Sequence, residues 1–459
     1  MDFVGRRREL QRLGEAFRSP DQNVTVVYGR WRVGKSELIK QALRQEAARS
    51  IYYECKETSE ENNVASLAGL VSETFGLPPL AFSGMEQLLE FLFKQAHEEK
   101  LILVLDEYPY LRNAVQGLDS ILQTLIDRFA DVSRLSLVIC GSHVEVMRSL
   151  LERENPLYGR VDQTIALEPM DYYDSALFYP ECSAEDKVRL YSIFGGIPYY
   201  CRFINPSESV HENLVNLIVE PGARLENEVP LYLSSEISKI TNANEIFGAL
   251  AEGYSRYKDI LSQAHVTSAP AMVNVLDKLI SMELVQKQAP INDPENRKKS
   301  SYRIVDGLSL FYYRYLFRYS SQRMVMSPEA FFERYVSNDL ETNFIPHRFE
   351  EVCRQYLIRQ NRAGKMPETF FEIGKYWYDN PAAHENGEFD IVTRDSKGYI
   401  FYKAKFRATP ITTKMMEEEI DQVRRAGLAS YAYGFFSRSG FTGKAPEGAR
   451  LIAIEDLYR

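Results

Sequence analysis

Cysteine, histidine and tryptophan are scarce, at five, six and two among 459 residues. The cysteines (Cys55, Cys140, Cys182, Cys201, Cys353) are scattered and odd in number, and none forms a CxxC pair. That excludes a disulfide framework and a cysteine-based zinc site, and it fits a reducing compartment. A surplus of positive charge is also missing. The formal net charge is −9 and the sequence pI about 5.5, which excludes a coat protein for nucleic acid. Any contact with nucleic acid must come from a local patch. Long hydrophobic runs are absent too. LILVL at Leu101–Leu105 falls far short of the ~20 residues that span a bilayer, and MDFVGRRREL at the amino terminus lacks the apolar centre of a signal peptide. The expectation is a cytoplasmic protein with no membrane partner. No internal repeat or low-complexity segment is visible.

What remains is ordinary globular material, 45% hydrophobic and 26% charged. The length suggests roughly three domains at ~150 residues each. Over 1–180, continuous apolar runs alternate with helical patterns: NVTVVYG from Asn23, IYYEC from Ile51, LILVLD from Leu101 and LSLVIC from Leu135. Short apolar runs of this kind predict parallel strands buried on both faces with crossover helices, an α/β doubly wound sheet. Residues 181–235 read as mostly helical, broken by GGIP at Gly195–Pro198. Residues 236–310 read as three helices and a two-stranded wing, a winged helix-turn-helix. Residues 311–345 form an aromatic-rich helical connector. Residues 346–459 return to α/β, with a hairpin turning at Ser396-Lys397-Gly398.

The sharpest motif is GRWRVGKS, made of Gly29, Arg30, Trp31, Arg32, Val33, Gly34, Lys35 and Ser36. It matches G-x-x-x-x-G-K-S/T, the P-loop. Its glycines let backbone N–H groups point at phosphate oxygens, Lys35 brings charge to the β and γ phosphates, and the Ser36 hydroxyl ligates magnesium. The motif follows a strand and opens a helix, so the helix N-terminus faces the phosphates. This predicts binding of ATP with Mg2+. The partner motif is LILVLDEYPYL. Asp106 ends a strand and is expected to hold the metal, and Glu107 is placed to orient an attacking water. Ser142, at the end of LSLVICGS, either touches the γ-phosphate or the water, or caps a helix.

With these pieces in hand the sequence resembles the prokaryotic P-loop ATPases common in Archaea, near the AAA+ and STAND groups. The resemblance rests on FVGRRREL (Phe3–Leu10), YGRWRVGKS, LVLDEYPYL, CGSHVEVM, NPLYGR and GGIPYY, and runs over nearly the whole chain. It implies that FVGRRREL borders the adenine and that GGIP, through Gly196 and Pro198, shapes a lid. It also implies that Arg160 is a sensor or arginine finger, acting on its own or a neighbouring subunit, which would make the protein a homo-oligomer. Read from the residues alone, Arg160 is equally a surface salt bridge.

For the wing, Arg297, Lys298, Lys299 and Arg303 are candidate contacts to DNA phosphates. The alternative is a module that touches protein, with an unidentified protein partner. The resemblance further implies a restriction-endonuclease-like carboxyl-terminal domain of the PD-(D/E)-x-K pattern, with Glu350, Asp390 and Lys405 in family positions. Lys403 stands where the metal-binding glutamate belongs, removing an oxygen ligand and adding positive charge. The expectation is that fold survives and cleavage does not. The reading is thus an ATP-hydrolysing switch acting on or with DNA. The alternatives are an ATP-dependent DNA nuclease and a nucleotide-gated scaffold with little turnover.

Overall fold

The computed structural model describes residues 3–237, 240–266, 268–296, 299–380 and 385–459. The chain divides into two compact units, Met1–Pro169 and Met170–Arg459.

The first unit is built on five strands: β1 (Asn23–Tyr28), β2 (Arg49–Glu54), β3 (Leu101–Asp106), β4 (Leu135–Gly141) and β5 (Gln163–Ala166). All pair in parallel in the order β2-β3-β4-β1-β5. Parallel pairing needs crossovers, which the helices α1 (Arg7–Arg18), α2 (Lys35–Leu43), α3 (Glu60–Phe75), α4 (Met85–Glu98), α5 (Tyr108–Ala114), α6 (Leu118–Phe129) and α7 (Val144–Ser149) accompany. Side-chain alternation divides each strand between two cores. Val24, Val26, Leu101, Leu103 and Leu105 pack toward α3, α4, α5 and α6. Val27, Ile102, Val104 and Val138 pack toward Leu13 and Phe17 of α1 and Leu38 and Ile39 of α2. Both faces are buried, which is why β1, β3 and β4 read as continuous apolar runs. β5 was not legible in advance. Its four residues, QTIA, lie at the sheet edge and bury only Ile165 fully.

Because every strand runs the same way, the C-terminal ends of β1, β3 and β4 share one edge, where ligands of open α/β sheets bind. β4 lies between β1 and β3, so the loops after all three meet there.

The second unit opens with helical segments that include Ala184–Phe194 and the short turn Pro198–Cys201. Helices Ile240–Ala251, Tyr257–Gln263 and Ala269–Ser281 precede an antiparallel pair, β6 (Val285–Gln288) and β7 (Ser301–Ile304). An aromatic stretch follows, in which the Tyr313 ring stacks on Phe247 at 4.6 Å. The helix Ile345–Arg362 leads into a mixed sheet of β8 (Glu372–Asn380), β9 (Glu385–Asp395), β10 (Gly398–Lys405), β12 (Ser430–Ser437) and β14 (Ala449–Ala453), in the order β14-β12-β10-β9-β8. Between these strands lie the two-residue parallel strands β11 (Ile411–Thr412) and β13 (Phe441–Thr442). The β9–β10 hairpin turns where the sequence indicates. Asp395 Oδ1 accepts from the N–H groups of Lys397 and Gly398, at 2.8 and 3.2 Å, and Gly398 adopts a φ of 135°.

The edge strand β8 does not run bare. Ile291, in the loop after β6, donates its N–H to Lys375 O at 2.8 Å, and Asn292 brackets Trp377 through both its amide oxygen and its nitrogen. The segment between β6 and β7 therefore straps the outer edge of the carboxyl-terminal sheet.

Candidate nucleotide site and the carboxyl-terminal charge cluster

The loop between β1 and α2 holds the whole GRWRVGKS motif. Gly29 is required by close approach, since a Cβ there would lie 2.1 Å from Leu167 O. Gly34 sits at φ 97° as the N-cap of α2 and offers no side-chain cap, leaving the first N–H groups of the helix for another acceptor. Arg32 is also left-handed, at φ 68°, with its guanidinium over the Trp31 ring at 4.8 Å. Val33 and Arg30 are buried. Arg6, from FVGRRREL, reaches Val33 O at 3.5 Å and so ties that motif to the P-loop.

Lys35 is 5% exposed. Its ammonium donates to Gly29 O at 2.9 Å, Arg30 O at 3.2 Å and Ser142 Oγ at 2.9 Å. All three acceptors are neutral. A buried ammonium without a carboxylate is costly unless an anion completes it. The donor set therefore fits a phosphate group.

The Asp106 carboxylate is 2% exposed. Its Oδ2 accepts from Ser36 Oγ at 2.7 Å and from the Tyr52 hydroxyl, and its Oδ1 from the N–H of Glu107 at 3.0 Å. Burial alone would raise its pKa. The hydrogen bonds from Tyr52, the Cys140 thiol, Ser36 and the Glu107 N–H outweigh that, and hold it below the ordinary carboxylate value. Glu107 takes the left-handed conformation, φ 51° and ψ 44°, which costs a non-glycine residue about 1 kcal/mol. The turn aims its carboxylate along the sheet edge, where Oε1 accepts from Ser142 Oγ at 2.8 Å and Oε2 from Ser142 N at 3.4 Å. Lys35, Ser36, Asp106, Glu107 and Ser142 thus form one hydrogen-bonded group drawn from three strand ends. A hydroxyl beside a carboxylate already charged below neutral pH is the donor set that a hydrated magnesium ion takes.

Arg160 is held elsewhere. Its guanidinium forms a forked pair with Asp127, with both bonds at 2.7 Å, and donates further to Pro156 O and Tyr158 O. This is the surface salt bridge that the residues alone allowed. Gly196 and Pro198 lie in the second unit. Gly196 O accepts from Met170 N at 2.8 Å, and a Cβ on Gly196 would lie 1.7 Å from Met170 O, so glycine is required there by packing. Pro198 occupies the first turn of its short helix.

Of the wing cations, Arg297 and Lys298 lie outside the described residues. Lys299 pairs with Asp293 at 3.1 Å and lies over the Trp377 ring at 5.7 Å. Arg303 pairs with Glu351 at 2.6 Å and also donates to Gln286. The chain's own acids therefore pair with both Lys299 and Arg303.

The carboxyl-terminal set does gather. Asp390 and Glu388 alternate onto one face of β9, and Lys403 and Lys405 onto one face of β10. Glu350 comes from the helix Ile345–Arg362. Three partners were not singled out in the sequence. Lys375 sits within a pairing irregularity in β8, between Gly374 and Tyr376, and its ammonium joins Glu388 and lies 3.5 Å from Asp390 Oδ1. Glu419, from the helix Thr413–Arg425, takes Lys405 at 3.0 Å and Lys403 at 3.9 Å. His347 lies 4.0 Å from Glu350. Glu350 is pushed up to about 7 by burial and by Asp390, against the pull of Lys375 and Lys403. These residues do not fit a divalent cation: ammonium groups already neutralise Glu388, Asp390 and Glu419. Among the described residues no group of three or more histidine, cysteine, aspartate or glutamate side chains is arranged to hold a metal ion. No helix among them is long and apolar enough to cross a membrane.

Comparison with known proteins bears on both units. Residues 3–202 match the family described as "ATPase domain predominantly from Archaea", and residues 312–422 match "Archaea bacterial proteins of unknown function". An uncharacterized protein of Methanocaldococcus jannaschii is 27% identical over 411 residues, 88% of this chain and 88% of that protein. Among solved structures, the Walker-type ATPase of Pyrococcus abyssi aligns with a TM-score of 0.52 at 19% identity, covering 68% of this chain and 96% of that one. The amino-terminal region is similar to archaeal ATPase domains, and its parallel five-stranded sheet has the fold of a P-loop ATPase.

Proposed function

We propose that this chain is a magnesium-dependent ATPase whose turnover switches the disposition of its carboxyl-terminal modules. One observation carries the reading: the buried Lys35 ammonium meets only neutral acceptors at the uncapped start of α2, beside Asp106 and Glu107. Magnesium held by Ser36 and Asp106 would supply positive charge to the phosphates as the terminal phosphoryl group leaves. Lys35 exchanges its carbonyl acceptors for phosphate oxygens and the α2 N-terminus adds N–H donors. Glu107, rotated from Ser142, accepts a hydrogen bond from the attacking water and aligns it. Arg160 acts on the phosphates only if its pair with Asp127 opens, either within the chain or across a homo-oligomer.

We read residues 236–310 as a winged helix and 346–459 as a restriction-endonuclease-like fold without a working metal site. The engagement of Lys299 and Arg303 by Asp293 and Glu351, and the strap on β8, favour a wing that contacts protein over one that grips DNA. These contacts support a second reading, a nucleotide-gated scaffold with little turnover.

One assay separates the readings: phosphate release and cleavage of labelled DNA measured together, with and without duplex DNA. The switch predicts phosphate release without cleavage. Metal-dependent cleavage would establish the nuclease reading, and nucleotide binding with no release the scaffold. Lys35→Ala should abolish nucleotide binding by calorimetry, and unchanged affinity would remove the site assignment.

A further inference from the structure

Tyr52 is not part of any motif in this chain. It sits in β2, two residues before the strand end, with Tyr52 opposite Val104 and Glu54 opposite Asp106 in the register with β3. Its side chain lies on the face covered by α2, packed against the core that includes Leu38 and Ile39. From there the hydroxyl extends forward to Asp106 Oδ2, the oxygen that also accepts from Ser36. The Lys40 ammonium, one helical turn beyond Ser36, lies over the Tyr52 ring at 4.8 Å. Tyr52 therefore joins the start of α2, β2 and the end of β3 around a single carboxylate.

We infer that Tyr52 is a positioning residue for the metal-bound nucleotide, fixing the Asp106 carboxylate through its hydroxyl. The inference rests on the nucleotide-site reading above. A buried carboxylate has several lone pairs and one free torsion, and which lone pair faces the cation depends on the donors that hold the rest. Glu107 N–H holds Oδ1. Ser36 holds Oδ2, but its oxygen is also the expected metal ligand, so that contact changes when the metal arrives. Tyr52 and the Cys140 thiol are then the side-chain donors whose geometry is set by strands rather than by the P-loop, and the Tyr52 hydroxyl is the stronger donor of the two. Lys40 over the ring face reinforces this by limiting how the ring can tilt.

The test is calorimetry on the full chain with a non-hydrolysable ATP analogue, once with magnesium and once with a chelator. Tyr52→Phe keeps the ring, the packing and the Lys40 contact, and removes only the hydroxyl. It should weaken binding of the magnesium complex about tenfold, the scale of one hydrogen bond to a charged group, and leave metal-free binding unchanged. In the Asp106→Asn background the same change should have no further effect, because Tyr52 acts through that carboxylate. Equal affinities of Tyr52→Phe and the wild type with magnesium would overturn the inference. So would an equal loss with and without metal, which marks a packing role. If the wild type itself binds no analogue, the nucleotide-site reading fails first, and that result cannot be mistaken for a failure of Tyr52 alone.

Discussion

Lys35 and Glu107 carry opposite charges at the same sheet edge, and they meet only through Ser142. Its Oγ accepts from Lys35 Nζ at 2.9 Å and donates to Glu107 Oε1 at 2.8 Å. The hydroxyl keeps the ammonium and the carboxylate from closing into an ion pair, which would compete with phosphate for Lys35 and with water for Glu107.

Two variants separate these roles. Glu107→Gln preserves shape and removes the acceptor charge, so phosphate release should fall at least about a hundredfold with little change in nucleotide affinity. Ser142→Ala should let Lys35 and Glu107 pair directly and weaken nucleotide binding, and Ser142→Thr should restore it. Steady-state phosphate release and calorimetry supply both readouts. Wild-type turnover by Glu107→Gln would show that another group aligns the water.

Glu351 ties Arg303 of β7 to the helix Ile345–Arg362. Burial would raise its pKa, but Arg303, Arg354 and Arg348 hold it at about 2. Because the folded value lies below the ordinary one, its stabilisation is present above the ordinary carboxylate range and is lost as pH falls toward 2. Glu351→Gln leaves the buried Arg348 and Arg354 uncompensated and should cost about 3–5 kcal/mol in chemical denaturation near neutral pH. A cost under about 1 kcal/mol, the scale of an exposed pair, would show that the arginines find other partners.

Glu350 has the opposite sign. Its folded value of about 7 lies above the ordinary 4.5, so across that window the folded chain holds a proton that the unfolded chain has released. Stability from this group therefore falls as pH rises. Glu350→Gln should leave the thermal midpoint nearly unchanged at about pH 4 and raise it relative to wild type at about pH 8. A pH-independent difference would refute the shift.

The lysine at 403 suggests by itself that Lys403→Glu would rebuild a metal site. Lys375 changes that expectation, because its ammonium still joins Glu388 and approaches Asp390. Lys403→Glu alone should bind no Mn2+ and nick no plasmid. Lys375→Met added to it should create binding that Asp390→Ala removes. Stoichiometric Mn2+ binding by the unaltered chain without nucleotide, lost in Asp390→Ala, would mean that the carboxylates form a working metal site.

The P-loop, Asp106 and Glu107 were legible because their chemistry is local. A backbone loop, a helix start and a strand end are each specified within a few residues, and the apolar runs of β1, β3 and β4 follow from burial on both faces. The hairpin at Ser396-Lys397-Gly398 was legible for the same reason. The resemblance to the PD-(D/E)-x-K pattern was what singled out Lys403. Tertiary structure decided what depends on partners far apart in the chain. Tyr52 reaches Asp106 only because β2 lies beside β3, and Arg160 meets Asp127 across 33 residues. Lys375 meets Glu388 through a pairing irregularity that no periodicity announces, and Arg303 is paired with Glu351, 48 residues away. Charged side chains are long and carry no pattern of their own, so their partners are fixed only when the strands and helices beneath them are in place.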